Sequence, residues 1–325
     1  FGSVTFSEDS TINSVLVVPR LVLGTRDGRS WITEILPEGE DSISADFLTQ
    51  PSTYRANEKL KFYDGAMSAE YFMSQAESAI EKIRAGRIQK VVLARDIVAQ
   101  LPSDFDLRTA LRNLAVRYPS CWVYSVAGNF GASPELLVRV SHGQVSARVL
   151  AGTAARGDSE QTDQDIAAGL LVSEKNLHEH QFAVESMVQE LSPFCTTVDT
   201  DEKPFTLALP DVWHLASDVY GKLKKNISVL DLAAYLHPTA AVAGTSRKAA
   251  QDLITELEPF DRGGYAGPVG WIGADGDGEW AIAIRGGYIE QNVVTAFAGC
   301  GLVAESDPQD ELAETELKFT PIRGA

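Results

Sequence analysis

The chain has 325 residues, 44% of them apolar and 22% charged, which suits a soluble globular protein of one large domain or two ordinary ones. It holds no apolar run long enough to cross a bilayer, and its net charge of −17 argues against nucleic acid or an anionic membrane surface as a partner. An anionic small substrate stays compatible with that charge, provided the pocket brings cations of its own.

No signal-peptide pattern opens the chain at Phe1, and the three cysteines (Cys121, Cys195, Cys300) lack metal-type spacing. Both features point to a cytoplasmic protein with reduced thiols. Residues 1–65 read as short strands and turns, with apolar runs at 15–18 and 21–23. A helix is predicted over 68–86, with Tyr71, Phe72, Ala76, Ala79, Ile80 and Ile83 at helical spacing and Gly86 as its stop. A β-branched run over 88–98 follows, then a helix over 107–118 and a strand-rich stretch over 121–156 broken by glycine turns.

The clearest helix covers 173–191, where Leu177, Phe182, Val184, Met187, Val188 and Leu191 make an apolar side. A strand over 212–220 and helices over 229–236 and 246–257 come next. Runs at 267–272 and 279–284, joined by Gly-Ala-Asp-Gly-Asp-Gly, signal a β-hairpin. An apolar strand over 293–304 leads into Ser306-Asp307-Pro308, a helix start with a capping side chain and a proline whose missing N–H costs nothing. No internal repeat, low-complexity segment or flexible linker divides the chain. The expectation is one α+β domain over 1–325, strand-rich in 1–65 and motif-bearing in 66–325. Its strands come in antiparallel groups rather than in strand–helix alternation.

Glu311, Glu314 and Lys318 fall at i, i+3 and i+7 of the last helix and share one side of it. They read either as a solvated face with favourable Glu–Lys spacing, or as carboxylates carried to the rim of the core by the preceding strand. At a rim they would suit a hard divalent cation such as Mg²⁺. Lys90 sits in an otherwise apolar strand, so it faces water at a sheet edge or points into a cleft, where an amine can act as a general base. Glu135 also enters an apolar strand; it reads either as an ordinary loop-edge glutamate or, if partly buried, as a carboxyl held protonated near neutrality, as a general acid requires. Asn176 and Glu179 repeat the i, i+3 spacing on the long helix and offer oxygens to the same ion. Zinc is excluded on spacing: His178 and His180 do not share a helix face, and no His-Glu-x-x-His occurs. The Asp275-Gly-Asp-Gly-Glu stretch lacks the calcium-loop glycine, and there is no P-loop, Gly-x-Gly-x-x-Gly or Gly-x-Ser-x-Gly.

Taken in order, Lys-Val-Val-Leu-Ala-Arg from Lys90, Ser-Pro-Glu135-Leu-Leu, Leu-Ala-Gly152-Thr153 and Ser-Glu-Lys-Asn176-x-x-Glu179-His form the first half of a pattern. Leu-His237-Pro-Thr-Ala-Ala-Val-Ala-Gly, Tyr265-Ala-Gly-Pro-Val-Gly, Ala-Ile-Arg285, Ala-Gly299-Cys-Gly301 and Glu311-Leu-Ala-Glu314-Thr-Glu-x-Lys318 complete it. Together these motifs resemble the chorismate-utilising enzymes, most closely those that make isochorismate, over the last three quarters of the chain. The resemblance implies the fold of anthranilate synthase component I, a single large domain with antiparallel β-sheets flanked by helices. It implies Mg²⁺ held by Glu179 and Glu314, with Glu311 and Asn176 nearby. It further implies chorismate held by Arg285, Lys318 and the backbone at Gly299 and Gly301, in a pocket lined by Gly152, Thr153, His237 and Tyr265. Lys90 would deprotonate a water attacking C2, and Glu135 would protonate the departing C4 hydroxyl.

Relatives that add ammonia usually carry glutamine at the Lys90 position, so lysine suits water as the nucleophile. Cys300 stands where relatives usually have alanine, and Asn176 where some have an acid. The terminal Pro321-Ile-Arg-Gly324 resembles a motif of the aminating relatives but is placed past the last helix. A salicylate synthase, which continues to pyruvate elimination, and a non-catalytic anion-binding protein of the same fold stand as alternatives. The product would feed menaquinone or a siderophore, and a monomer is expected.

Overall fold

A computed structural model describes residues 1–42, 53–56 and 59–325, apart from the side chains of Lys175 and Glu179. The chain opens with two short strands, β1 (Gly2–Ser3) and β2 (Val15–Leu16). A hairpin of β3 (Leu21–Arg26) and β4 (Arg29–Glu34) follows, and then β5 (Tyr63–Asp64). Helix α1 (Ala69–Arg84) begins where the Ser68 side chain accepts a hydrogen bond from the Tyr71 N–H, and it buries five of the six residues expected of it, leaving Tyr71 exposed. Strand β6 (Lys90–Gln100) is buried along most of its length, its apolar residues running together rather than alternating and interrupted by the buried Arg95 and Asp96.

Helix α2 (Leu107–Arg117) leads to four consecutive strands: β7 (Trp122–Val126), β8 (Asn129–Ser133), β9 (Leu136–Ser141) and β10 (Gln144–Ala155). Helices α3 (Glu160–Leu170) and α4 (Glu174–Leu191) come next, then β11 (Cys195–Thr200), β12 (Phe205–Ala208) and the long β13 (Val212–Leu223). Helix α5 (Val229–Leu236), strand β14 (Gly244–Thr245) and helix α6 (Arg247–Leu257) precede the hairpin of β15 (Pro268–Ile272) and β16 (Gly278–Ile282). The chain closes with β17 (Gly286–Glu290), β18 (Val293–Leu302), α7 (Pro308–Lys318) and a single turn, α8 (Thr320–Arg323).

Two large sheets result, and every strand pair in them is antiparallel among the described residues. One runs β11-β13-β10-β9-β16-β15-β1-β2, with β12 also on β13. The other runs β14-β6-β18-β17-β8-β7, with β5 also on β6. This is the α+β architecture the sequence leads one to expect. The largest core joins both sheets, Val91 and Leu93 of β6 clustering with Leu137, Val149 and residues of α1, α4, α5 and α6. A second core, around Ile97, Leu114, Phe130 and Phe319, sits at the other end of β6. Two local expectations change. Helix α3 has no counterpart in the sequence reading, because only Leu170 of its residues is buried and no apolar stripe announces it. Pro321 and Ile322 do not trail past the last helix: they are buried in α8, and Arg323 donates to Glu316 at 2.7 Å.

The ends of β6, α6 and the N-terminal segment are tied by one buried ion pair. Arg262 donates to Glu258 from Nε at 2.8 Å and from Nη2 at 2.5 Å, and both side chains are almost wholly buried. The same guanidinium donates to the carbonyls of Val242 (2.9 Å) and Val92 (2.7 Å), and Glu258 accepts from the Ala94 N–H at 2.8 Å. Its flat face lies 4.4 Å from the Phe6 ring centre. Replacing Glu258 by Gln keeps the shape but leaves a buried cation without its counter-charge. We expect Glu258→Gln to lower unfolding stability by roughly 3–5 kcal/mol in urea titrations. A loss under about 1 kcal/mol would show that the pair is not what holds these segments.

Candidate active site

Both sheets and two helices converge on a cavity of about 160 Å³. Its wall includes Lys90 and Val92 from β6, Glu135 just before β9, Gly152 and Thr153 from β10, Asn176 from α4 and His214 from β13. Tyr265, Arg285, Gly299 and Gly301 line it too, and Glu311, Glu314 and Lys318 come from α7. Thus twelve of the residues singled out in the sequence, Asn176 included, border one space. Glu179 lies on α4, but its side chain is outside the described residues.

His237 is the exception and corrects the expectation. It caps α5 with its ring turned away to the N-terminal segment, where Nε2–H donates to the Phe6 carbonyl at 3.0 Å and the ring packs edge-on against Phe6. A helix end buried beneath the first residues of the chain cannot also face the cavity. Burial pushes this imidazole down to about 4. The histidine that does face the cavity is His214, which the sequence reading passed over inside an alternating strand.

Local backbone shapes the wall. At Gly152 the pairing of β10 with β13 slips by one residue, and the glycine takes φ +82°, a left-handed conformation that side chains rarely adopt. That bulge re-aims Thr153 toward His214. Gly244 pairs with Val91, and a Cβ on it would come within 2.1 Å of the Lys90 carbonyl oxygen, so only glycine allows β14 to close on the backbone of that lysine. Strand β17 pairs with β18 only as far as Ala296, so the backbone from Gly299 to Gly301 continues beyond that partner and reaches the cavity.

The charges are arranged against the protein's acidic average. Glu135 is fully buried, and burial pushes its carboxyl up to about 7 although Arg285, Lys90 and Lys318 pull the other way. Arg285 holds φ +56°, a strained left-handed backbone of the kind kept where a side chain must be aimed. Its Nη2 donates to His214 Nε2 at 3.2 Å, and His214 Nδ1 lies 3.1 Å from Thr153 Oγ1. Burial, then Arg285 and Lys318, push His214 well below its usual range, so the ring is neutral. Nε2 accepts from the guanidinium and Nδ1–H is the donor. Lys318 pairs with Glu314 at 2.5 Å and donates to the Gly299 carbonyl at 2.9 Å, which fixes α7 to β18.

Glu311 accepts from Ser306 Oγ at 2.6 Å, and burial followed by the neighbouring Glu314 raises its carboxyl. Burial and the same two carboxylates push the Cys300 thiol well up. Among the described residues no three His, Cys, Asp or Glu side chains group as a ligand set. Even so, Glu314 lies one turn from Glu311 and helps to raise its carboxyl, and Asn176 adds an amide to the same wall. Two carboxylates and an amide oxygen, with space left for water and substrate oxygens, fit the hard, sparsely ligated Mg²⁺ ion.

Lys90 and Val303 border a second, wider cavity of about 870 Å³, whose wall includes the exposed Phe182 and the His178 ring tilted against it. Lys90 therefore stands between the inner site and an outer vestibule.

A family model described as chorismate binding enzyme matches residues 6–325. A Mycobacterium tuberculosis protein with the provisional name isochorismate synthase MenF is 39% identical over 340 residues, covering 99% of this chain and 84% of its own length. The solved menaquinone-specific isochorismate synthase MenF of Escherichia coli superposes with a TM-score of 0.84 at 26% identity, over 99% of this chain and 77% of that one. Anthranilate synthase component I from Streptococcus pneumoniae superposes with a TM-score of 0.80 at 28% identity, over 91% and 70%.

The raised carboxyl of Glu135 has a consequence for stability. The folded state holds this proton up to about pH 7, whereas the unfolded chain releases it near 4.5. Its stabilising contribution is complete below pH 4.5 and is lost as pH rises through 7. Urea unfolding at pH 5 and pH 8 is expected to show a smaller fall in stability for Glu135→Gln than for the unsubstituted protein. Equal falls would mean that Glu135 ionises as an ordinary surface acid.

Proposed function

The chain belongs to the chorismate-binding enzymes, and on that premise we propose that it is an isochorismate synthase, adding water at C2 of chorismate as the C4 hydroxyl departs as water. The observation that carries this reading is the pairing of Lys90 with a buried, proton-holding Glu135 in the wall of one cation-rich cavity.

Chorismate is a dicarboxylate, so an acidic protein must gather it with local cations. Arg285 and Lys318 take one carboxylate together with the backbone at Gly299 and Gly301, with Tyr265, Thr153 and Gly152 shaping the space beside the ring. Neutral His214 accepts from Arg285 and so aims the guanidinium without adding charge. Lys90 takes a proton from the water that attacks C2. The ring double bonds shift, and Glu135 gives its proton to the oxygen leaving C4. Glu311 and Glu314, with Glu179 from α4, would hold Mg²⁺, which supplies positive charge to neutralise and orient a substrate carboxylate. Lysine at position 90, in place of an amide, favours water over ammonia as the entering group.

Incubation with chorismate and Mg²⁺, followed by chromatography, tests the assignment. Isochorismate alone is the expected product. Salicylate with pyruvate would make it a salicylate synthase, and unchanged chorismate would leave a binding protein. Lys90→Ala and Glu135→Ala are each expected to fold and to lose about 10²–10⁴-fold in turnover. Near-normal activity in either removes that residue from the mechanism. Chelation of Mg²⁺ should abolish activity and readdition restore it. The rate should also decline as pH rises through about 7, where Glu135 loses the proton it must donate.

A further inference from the structure

Each turnover in this reading leaves Lys90 one proton richer and Glu135 one proton poorer, so neither is ready for a second round. Lys90 borders the outer vestibule and can return its proton to solvent there. Glu135 is different. It is fully buried, and the product lies between it and the mouth of the site until it leaves.

Behind Glu135, on the side away from the substrate, is a second small cavity of about 10 Å³, close to the least space that admits one water molecule. Glu135 and Ala241 border both this cavity and the reactive one, so the carboxyl stands in the partition between them. The rear wall is polar where it needs to be. Thr239 is more than nine-tenths buried, and its Oγ1 has no hydrogen-bond partner among the described residues. Ser186 lies beside it and donates to Glu190 at 3.3 Å. Glu190 completes the line: its side chain is about one quarter exposed and pairs with Arg247 at 2.6 Å. A buried hydroxyl left unpaired costs on the order of 1–3 kcal/mol, which a bridging water would recover.

We infer that Glu135 is reprotonated from behind, through one water bound between Thr239 Oγ1, Ser186 Oγ and Glu190, with Glu190 admitting protons from solvent. This rests on the synthase reading. The balance closes with no other reactant: one proton leaves to bulk water at Lys90, one enters from bulk water at Glu190, and the water consumed at C2 is matched by the water released from C4. Thr239 and Glu190 touch neither substrate nor reacting atoms, so both are positioning residues for the proton. The rear route lets the acid reset while product is still bound.

Thr239→Val and Glu190→Gln keep the side-chain shapes and break the route at two points. The first turnover, with enzyme in excess over chorismate at pH 6, starts from protonated Glu135 and needs no relay. Repeated turnover does. Each variant is expected to lose at least fivefold in kcat while its first-turnover rate and its kcat/KM stay within about twofold of the unsubstituted enzyme. An unchanged kcat in either folded variant overturns the relay, as does an equal loss in first and later turnovers, which is the mark of a merely structural role. If one variant does not fold, the same ratio in the other decides. The two readings fail separately: an unsubstituted protein that leaves chorismate unchanged overturns the synthase itself, whereas an active one with unaltered variants overturns only the rear proton route.

Discussion

The structure depends on a guanidinium that is almost entirely out of water. Arg262 uses Nε, Nη1 and Nη2 on Glu258, Val242 and Val92, and its face on Phe6. Desolvating two charges is costly, and a pair like this adds little net stability over apolar residues of the same shape; breaking it is what is expensive. Its value is positional. Val92, Val242 and Tyr265 line the cavity, and each touches this arginine or lies next to a residue that does. A Lys could not reproduce the arrangement, because the planar fork meets three acceptors in fixed directions.

The cavity is a local inversion of a strongly acidic molecule. Its cations are fixed by neighbours rather than left mobile: Lys318 by Glu314 and the Gly299 carbonyl, Arg285 by His214 and its strained backbone. Burial then acts in opposite senses on two groups within the same wall. It favours the protonated carboxyl at Glu135, the acid of the proposed reaction, and the neutral ring at His214, which accepts from Arg285. One dry environment thereby produces a donor and a neutral acceptor without any residue being charged at the wrong moment.

Much of this was legible before any coordinates, and the reasons are local. Helix α5 and the start of α7 carry their own punctuation, a Ser228/Asp231 capping box in one and Asp307-Pro308 in the other. The antiparallel grouping of strands was visible in their spacing. Glu135 and Lys90 stood out because a charge interrupting an apolar strand has to be explained. What escaped was set by distant partners. His214 hides in a strand where alternation alone accounts for it, and only the bulge at Gly152 and the approach of Arg285 give it a role. His237 belongs to a motif that reaches the site, but its ring is claimed by Phe6 from the other end of the chain. Helix α3 carries a capping box and no apolar stripe, so its signal lay at its start and nowhere along its length.

The reach of Arg262 also governs when the molecule can become itself. Val92, whose carbonyl it holds, lies 170 residues earlier in the chain. On a ribosome extending at roughly 5–20 residues per second, the first-made half of the wall waits on the order of ten seconds or longer for the group that anchors it. Strand β18, the neighbour of β6, emerges later still. During that interval most of β6, buried in the finished protein, is exposed, with only β5 yet made to cover part of its edge. Nascent chains stalled before Arg262 should therefore be chaperone clients.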